Sequence, residues 1–256
     1  MSEIIAIASQ KGGVGKTTTA VNLGASLAVL ERSVLIVDMD PQGSIAASFG
    51  VGRYDIIHGS FDIINDAVPI ATAIIETELP GFDIVPTNVW TEEEEILFIE
   101  AASDFRLLRE VLEPLKDEYE YILIDCPPSL GNLTLNAIVA STSILIPVQC
   151  EYYALKALGR FLRMTRSVSQ QYNPDLRYLG FLLTMVDWNA PQTRELIKEL
   201  ESSLRGLVFD IVVPRNSKIA LAPAKGKPLC LFDIANDGAE SYLRLAEKII
   251  KINEPN

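Results

Sequence analysis

One stretch near the start of the chain constrains its fold more than any other: Lys11-Gly12-Gly13-Val14-Gly15-Lys16-Thr17-Thr18. The apolar residues 4–8 before it are typical of a buried strand, and residues 20–28 after it have the apolar spacing of a helix. A glycine-rich loop that joins a strand to a helix predicts a P-loop. Its glycines allow successive backbone N–H groups to point into one concavity, to which the following helix adds its positive end. We therefore expect this loop to hold a phosphate chain.

The two lysines of the loop have different expected environments. Lys16 is predicted to reach the β- and γ-phosphates, and the hydroxyl of Thr17 is predicted to bind Mg²⁺. In the usual P-loop pattern a glycine would stand at position 10, but this chain has Gln10 there, followed by Lys11. A single loop lysine is usually a solvated charge, yet a cation at the lip of an anion site has a clear use. The functional interpretation of Lys11 is therefore favoured.

Two aspartates follow the next apolar run, residues 34–37, within the segment Asp38-Met39-Asp40-Pro41-Gln42-Gly43. Carboxylates at the C-terminal end of a parallel strand lie where ligands bind in open α/β sheets. Asp38 and Asp40 are two residues apart, so both are able to face the phosphates. The alternative is that they form a turn before the Pro-Gln-Gly sequence.

A third aspartate, Asp125, ends the apolar run 121–124 and is followed by Cys126 and two prolines. An apolar strand that ends in aspartate is the Walker B arrangement, in which the carboxylate holds Mg²⁺ through its water shell. The pattern is weak on its own, but it gains weight well downstream of a P-loop in a chain of alternating strands and helices.

Apolar runs alternate with helical spacing through most of the chain. Further strands are predicted at 82–85, 143–148, 178–185 and 208–213. Further helices are predicted at 44–49, 61–64, 106–112 and 193–204, with others beginning at Glu92 and Gly238. This order predicts an α/β fold with a mostly parallel twisted sheet and helices on both faces. No linker interrupts the pattern, so we expect residues 1–256 to form a single domain.

Charge is distributed unevenly over a chain whose formal net charge is −12. Residues 1–150 carry 7 Lys and Arg against 22 Asp and Glu, whereas residues 151–256 carry 15 against 12. An acidic protein is not expected to bind nucleic acid indiscriminately. Lys156, Arg160 and Arg163 nevertheless fall on one stripe of a predicted helix. That stripe is either a solvated face or a contact for DNA phosphates or an acidic partner.

Other features narrow the class of protein. The three cysteines are widely spaced, without metal or disulfide spacing, and are interpreted as small core residues. His58 has no partner pattern and is expected to be structural. No run approaches the ~18–20 apolar residues of a membrane span, and no basic-then-apolar signal region begins the chain. We expect a cytoplasmic protein, with membrane binding disfavoured because residues 248–252 form only a short basic-apolar end.

The glycine-rich loop resembles the deviant Walker A motif of the ParA/MinD/Soj family of dimerising ATPases. Further segments resemble the same family, from about residue 3 to about residue 250. They are Asp38-Met39-Asp40-Pro41-Gln42, Pro127-Pro128-Ser129-Leu130-Gly131, Gln149-Cys150-Glu151-Tyr152-Tyr153-Ala154-Leu155 and Pro214-Arg215-Asn216.

The resemblance implies specific roles. Lys11 would reach across a dimer interface to the ATP of the other subunit, while Lys16 acts within its own subunit. Asp40 would position or activate the attacking water, and Asp38 would support the Mg²⁺ shell beside Thr17 and Asp125. The implied nucleotide contacts are Lys11, Gly12, Gly13, Val14, Gly15, Lys16, Thr17, Thr18, Asp40, Pro214 as an apolar wall and Asn216 as a reader of the adenine.

The resemblance also implies a function: a slow Mg²⁺-dependent ATPase that forms an ATP-bound homodimer. Such a dimer binds DNA without sequence preference, is stimulated by a ParB-like partner that often supplies a short basic peptide, and would associate with the nucleoid. This chain lacks several arginines that relatives carry, as in Val186-Asp187-Trp188-Asn189-Ala190 and residues 235–237. The cations that could compensate are Lys218, Lys225, Lys227 and the stripe of Lys156, Arg160 and Arg163.

Three alternatives stay open at this point. A related ATPase could position a protein cargo, or a polar or division complex, with weak or no DNA binding, and the missing arginines favour that interpretation. Membrane recruitment like that of MinD ranks lowest because the basic-apolar end is short. An ATP-dependent metal-cluster scaffold of the same superfamily would need a cysteine pair, and the chain has no Cys-x-x-Cys.

Overall fold

The strands of the computed structural model form one sheet. The structure describes residues 2–151, 154–204 and 206–254, with the side chains of 154–157 left out. The strands are β1 (Glu3–Ile7), β2 (Val34–Asp38), β3 (Ile75–Glu76), β4 (Phe82–Val85), β5 (Tyr121–Asp125), β6 (Ser143–Gln149), β7 (Arg177–Val186) and β8 (Val208–Pro214). Their order is β3-β4-β2-β5-β1-β6-β7-β8, and only the pairing of β3 with β4 is antiparallel.

Helices cover both faces of this sheet. They are α1 (Lys16–Val29), α2 (Ser44–Ser48), α3 (Ser60–Asp66), α4 (Glu92–Ala101), α5 (Leu107–Leu112), α6 (Asn132–Ala140), α7 (Ala154–Tyr172), α8 (Thr193–Leu204), α9 (Ser217–Leu221), α10 (Leu229–Phe232) and α11 (Asp237–Asn253). No helix in the described ranges is both long and apolar enough to cross a membrane.

Two apolar cores lie on opposite faces of the sheet. One packs α3 to α8 against alternate residues of the strands, including Ile4 and Ile122. The other packs α1, α2 and α11 against the residues between them, including Ile5 and Leu123. Because the parallel strands are covered on both sides, they are continuous apolar runs rather than alternating ones. The predicted fold class is confirmed.

The register of the central strands brings the predicted site together. Asp38 at the end of β2 is the pairing partner of Asp125 at the end of β5, and Asp125 also pairs with Ile7 at the end of β1. The glycine-rich loop leaves β1 at the same edge. The carboxyl ends of three adjacent strands therefore converge on one place, as expected for a ligand site in an open α/β sheet.

Several elements differ from the sequence-based expectation. The short edge strand β3 has only two residues, too few for a periodic pattern, and was not predicted. The helices α9 and α10 were also missed, because each spans a single turn. The 193–204 helix has the predicted bounds.

Candidate active site

The glycine-rich loop adopts a backbone shape that requires glycine at two positions. Gly13 has φ +73° and Gly15 has φ +88°, a region that side chains with a Cβ rarely adopt. Gly12 differs, because a Cβ built there would meet only the Cβ of Pro128 at 3.7 Å, an ordinary contact. Nothing among the described residues of this chain therefore requires glycine at position 12.

A buried hydroxyl on a different strand fixes the loop in place. The Thr184 Oγ1, on β7, donates a hydrogen bond of 2.8 Å to the carbonyl oxygen of Val14. Thr184 and Val14 are each 2% exposed. Lys16, the first residue of α1, is also buried. The loop is thus anchored from β7, which β6 separates from β1 in the sheet.

Thr17 and Asp125 meet at the predicted metal position. The Thr17 Oγ1 donates a hydrogen bond of 2.6 Å to the Asp125 Oδ2. Asp125 is fully buried, and its Oδ1 has no hydrogen-bond partner among the described residues. Burial raises the pKa of Asp125 from 3.8 to about 7, which the hydrogen bond from Thr17 opposes and the charge of Asp40 reinforces. A buried carboxylate oxygen without a hydrogen-bond partner is unfavourable, and a bound cation or water molecule would satisfy it.

Asp38 organises the turn that carries Asp40. Its Oδ1 accepts from the Asp40 N–H at 3.0 Å, and its Oδ2 accepts from the Ile45 N–H at 3.2 Å. The Ser60 Oγ, at the start of α3, donates to the backbone carbonyl of Asp38 at 2.5 Å. Burial raises the pKa of Asp38 well above its usual range, and the nearby charge of Asp125 adds to the effect. Asp38 thus fixes the backbone that places the half-buried Asp40.

Lys11 is held by its own subunit in this structure. Its Nζ donates to the Gln149 Oε1 at 3.2 Å and forms an ion pair with the Glu151 Oε2. Both side chains of the ion pair are more than 40% exposed. An exposed ion pair of this kind contributes only ~0.2–1 kcal/mol. Little free energy is therefore lost when the Lys11 side chain leaves this position.

The segment expected to contact a base ends β8. Pro214 pairs with Val186 of β7, and the Arg215 N–H donates to the Val186 carbonyl at 2.9 Å. Asn216 caps α9, since its Oδ1 accepts from the Lys218 N–H at 2.9 Å. Because β7 also carries Thr184, this segment lies at the same edge of the sheet as the glycine-rich loop.

The cations predicted to contact DNA fall into two groups on opposite helix layers. Arg160 and Arg163 are exposed on α7, whereas the other group lies around α9 and α10, on the side of α1 and α11. In that second group Lys218 pairs with Asp233 at 2.5 Å and Lys227 lies 3.9 Å from Glu78, while Lys225 is exposed. The side chain of Lys156 lies outside the described residues. These cations therefore do not form one continuous surface on a single layer.

Sequence reasoning missed three side chains that the structure places at this site. They are Thr184, Ser60 and Glu151, which respectively hold the loop, the Asp38 backbone and Lys11. Thr184 lies two residues before the end of the apolar strand β7, near the strand ends that carry Asp38 and Asp125. Among the described residues no group of three or more His, Cys, Asp or Glu side chains could hold a metal ion by itself. Mg²⁺ suits such a site, because it usually keeps several waters and takes few protein ligands.

The mostly parallel sheet, the anchored loop before α1 and the Thr17–Asp125 pair define a P-loop nucleotide-hydrolase fold. A family model described as an AAA domain matches residues 2–178. The sporulation initiation inhibitor protein Soj of Bacillus subtilis is 44% identical over 249 residues, which cover 97% of this chain and 98% of Soj. The chromosome partitioning protein ParA of Myxococcus xanthus is 45% identical over 256 residues, which cover 100% of this chain and 90% of that protein.

A solved structure supports the same grouping. The septum site-determining protein MinD of Pyrococcus horikoshii, complexed with Mg-ADP, matches with a TM-score of 0.82 at 28% identity, over 98% of this chain and 97% of that one. The chain belongs to the Soj/ParA family of partitioning ATPases. The resemblance drawn from the sequence motifs is therefore confirmed at the level of the family.

Proposed function

We propose that this protein is an ATP-dependent dimeric switch that partitions DNA, and that the residues described above carry its Mg²⁺-dependent hydrolysis of ATP. One observation carries the proposal: the Thr17 hydroxyl and the partnerless Asp125 Oδ1 meet beside a loop shaped for phosphate. The name of the Myxococcus relative, a chromosome partitioning protein, and the Mg-ADP bound by the Pyrococcus neighbour support it.

The nucleotide contacts follow from the shape of the loop. The amides from Gly12 to Thr18 surround the phosphates, and Lys16 neutralises charge on the transferring phosphoryl group. Its buried position strengthens that interaction, because charges act more strongly where water is excluded. Pro214 and Asn216 face the base. Asn216 already uses its Oδ1 as a helix cap, which leaves its Nδ2 as the donor for the adenine.

The three carboxylates of the site have different roles in metal binding and in positioning the attacking water. Thr17 and Asp125 would hold Mg²⁺, Asp125 through the ion's water shell, and Asp38 would support that shell. Bound Mg²⁺ would offset the negative charge of the phosphate groups. Asp40 positions the attacking water, and Asp38 contributes again by fixing the Asp40 backbone. Ser60 extends this support to the start of α3.

Dimerisation completes the site. Lys11 leaves Glu151 and Gln149 and reaches the phosphates bound by the other subunit. The exchange is favourable because a weak exposed ion pair is replaced by contact with a more highly charged triphosphate. A Cβ at position 12 would meet only an ordinary contact among the described residues of this chain. The small residue there suits a close approach of the other subunit.

DNA contact is assigned to α7 of the ATP-bound dimer. Arg160 and Arg163 lie exposed on one stripe of this helix, and Lys225 is a further candidate on the other layer. A ParB-like activator stimulates turnover, and the protein is cytoplasmic and associates with the nucleoid through DNA.

A second candidate function is the positioning of a protein cargo with weak or no DNA binding. Two predicted DNA contacts are already offset by carboxylates, Lys218 by Asp233 and Lys227 by Glu78. That observation favours the second candidate, because fewer free cations release fewer counterions on binding DNA.

The deciding experiment is DNA binding in the presence of Mg-ATP across a salt series, with Asp40→Ala to stall hydrolysis. We expect binding that requires ATP and weakens steeply with salt. Replacing Arg160 and Arg163 together by alanine should reduce the slope of log K against log salt by about 2 for each subunit whose α7 contacts the DNA. The matched control is Arg244→Ala with Lys248→Ala on α11, which should leave the slope unchanged. ATP-dependent dimers that bind no DNA at low salt would reject the DNA-partitioning function and support the protein-cargo alternative.

A further inference from the structure

Helix α4 turns apolar side chains outward. Ile96, Leu97 and Ile99 are 56%, 47% and 38% exposed, whereas Phe98 between them is fully buried against Phe61. The helix is therefore held by its inner face, and its outer face has no partner among the described residues. Large apolar residues that are exposed side by side on one helix are typical of an interaction surface.

Carboxylates flank these apolar residues on the same outer face. Glu92 and Glu93 precede Ile96 and Leu97 by one helical turn, and Glu100 follows them. We call these six residues, Glu92, Glu93, Ile96, Leu97, Ile99 and Glu100, the α4 strip. The strip belongs to the most acidic part of the chain, since the stretch between Arg32 and Arg106 contains fourteen carboxylates and a single Lys or Arg, Arg53.

That one cation, Arg53, contacts Trp90, the residue before the N-cap of α4. The guanidinium of Arg53 lies 4.5 Å from the ring centroid of Trp90, directly before the helix. The backbone N–H of Trp90 donates to the Glu94 Oε2 at 2.6 Å, which joins the backbone of residue 90 to the first turn of α4. The contact is an internal example of a cation held over an aromatic ring at the acidic end of the strip.

We propose that the α4 strip is the docking site of a cationic amphipathic segment of a partner protein. Apolar side chains of the segment would cover Ile96, Leu97 and Ile99, and its Lys or Arg side chains would face the flanking carboxylates. A second copy of this chain fits poorly, because an isologous contact would set Glu92, Glu93 and Glu100 against the same carboxylates. DNA is repelled for the same reason.

The strip is connected to the candidate active site. The Asn132 Nδ2, at the start of α6, donates to the backbone carbonyl of Ile99 at 2.9 Å. Asn132 directly follows the 127–131 loop, which leads from Asp125. The inference rests on the proposed function in this respect, because the proposed function includes an activator of ATP hydrolysis. The α4 strip would be the place where that activator binds, next to the 127–131 loop.

The test uses the full chain and a labelled helical peptide of about 18 residues in which leucine and lysine form opposite faces, measured by fluorescence anisotropy. Ile96→Ser with Leu97→Ser should weaken binding about tenfold, because both side chains lose apolar contact. The matched control is Leu231→Ser with Ile234→Ser, which alters two exposed apolar residues around α10. Glu92→Gln with Glu93→Gln should weaken binding and flatten its salt dependence, whereas Glu199→Gln with Glu201→Gln on α8 should do neither.

Three results would overturn the inference. They are no binding to the wild-type protein, equal binding to all variants, and an ATP-dependent homodimer that is lost in the Ile96→Ser, Leu97→Ser variant while peptide binding is unchanged. Hydrolysis of Mg-ATP without peptide is measured in parallel and should be the same in that variant as in wild type. Peptide binding without hydrolysis would reject the proposed function alone, and hydrolysis without peptide binding would reject the docking site alone.

Discussion

The negative charge of the buried Asp125 should lower the free energy of unfolding of the nucleotide-free protein. The substitution Asp125→Asn should restore most of that stability. Burial raises the pKa of Asp125 from 3.8 to about 7, so the native state retains a proton that the unfolded chain releases. Stability therefore falls as pH rises from about 4 to about 7, and the whole loss is present above that range. At 1.36 kcal/mol per pKa unit, the loss at pH 8 is about 4 kcal/mol.

Asparagine has nearly the same shape as aspartate and does not titrate. Its amide oxygen can still accept the hydrogen bond from Thr17, but its buried NH₂ group offsets part of the gain. We expect Asp125→Asn to stabilise the nucleotide-free protein by about 2–4 kcal/mol at pH 8. For a chain of this size, that is a rise in Tm of roughly 10 °C.

Thermal unfolding in EDTA at about pH 5 and pH 8 measures the effect, which should be large at the higher pH and small at the lower one. Asp175→Asn, an exposed aspartate at the opposite edge of the sheet, is the control and should change Tm little at either pH. Added Mg-ADP should stabilise the wild-type protein more than the variant. An Asp125→Asn protein no more stable than wild type at pH 8, or equally stabilised at both pH values, would refute the reasoning.

Three further predictions concern neighbouring side chains. Thr184→Val leaves the Val14 carbonyl without its donor and should raise KM for ATP about tenfold, whereas Thr184→Ser should retain the wild-type value. Glu151→Gln removes the ion pair that holds Lys11. The protein concentration at which ATP-dependent dimers form, measured by sedimentation, should fall by about two- to fivefold. No change in that concentration would mean that the ion pair does not restrain Lys11. Asp40→Ala should reduce hydrolysis at least about 100-fold while ATP binding, measured by calorimetry, is retained.

The sequence predicted the local elements of the site better than their connections. The glycine-rich loop and the strands ending in Asp38 and Asp125 are contiguous motifs, so their spacing alone indicates their place in an α/β sheet. The contact between Thr184 and Val14 joins residues far apart in the chain. It depends on β7 lying beside β6, an order that no local pattern specifies. Ser60 was missed for a similar reason, since it reaches Asp38 only because α3 begins beside the end of β2.

The cations show the limit of the same reasoning. From the sequence, Lys218, Lys227 and Arg163 are equally good candidates for DNA contacts, because each is a cation in the C-terminal half of the chain. The structure separates them, since Lys218 is paired with Asp233 while Arg163 lies exposed on the other helix layer. The acidic first half has the converse property: its carboxylates near Asp125 are buried and suited to a metal ion, whereas those on α4 are exposed beside apolar residues. The excess of carboxylates in the first half of the chain thus suits two kinds of cation. Mg²⁺ fits the buried carboxylates at the ends of β2 and β5, and a cationic segment of a partner fits the exposed carboxylates of α4.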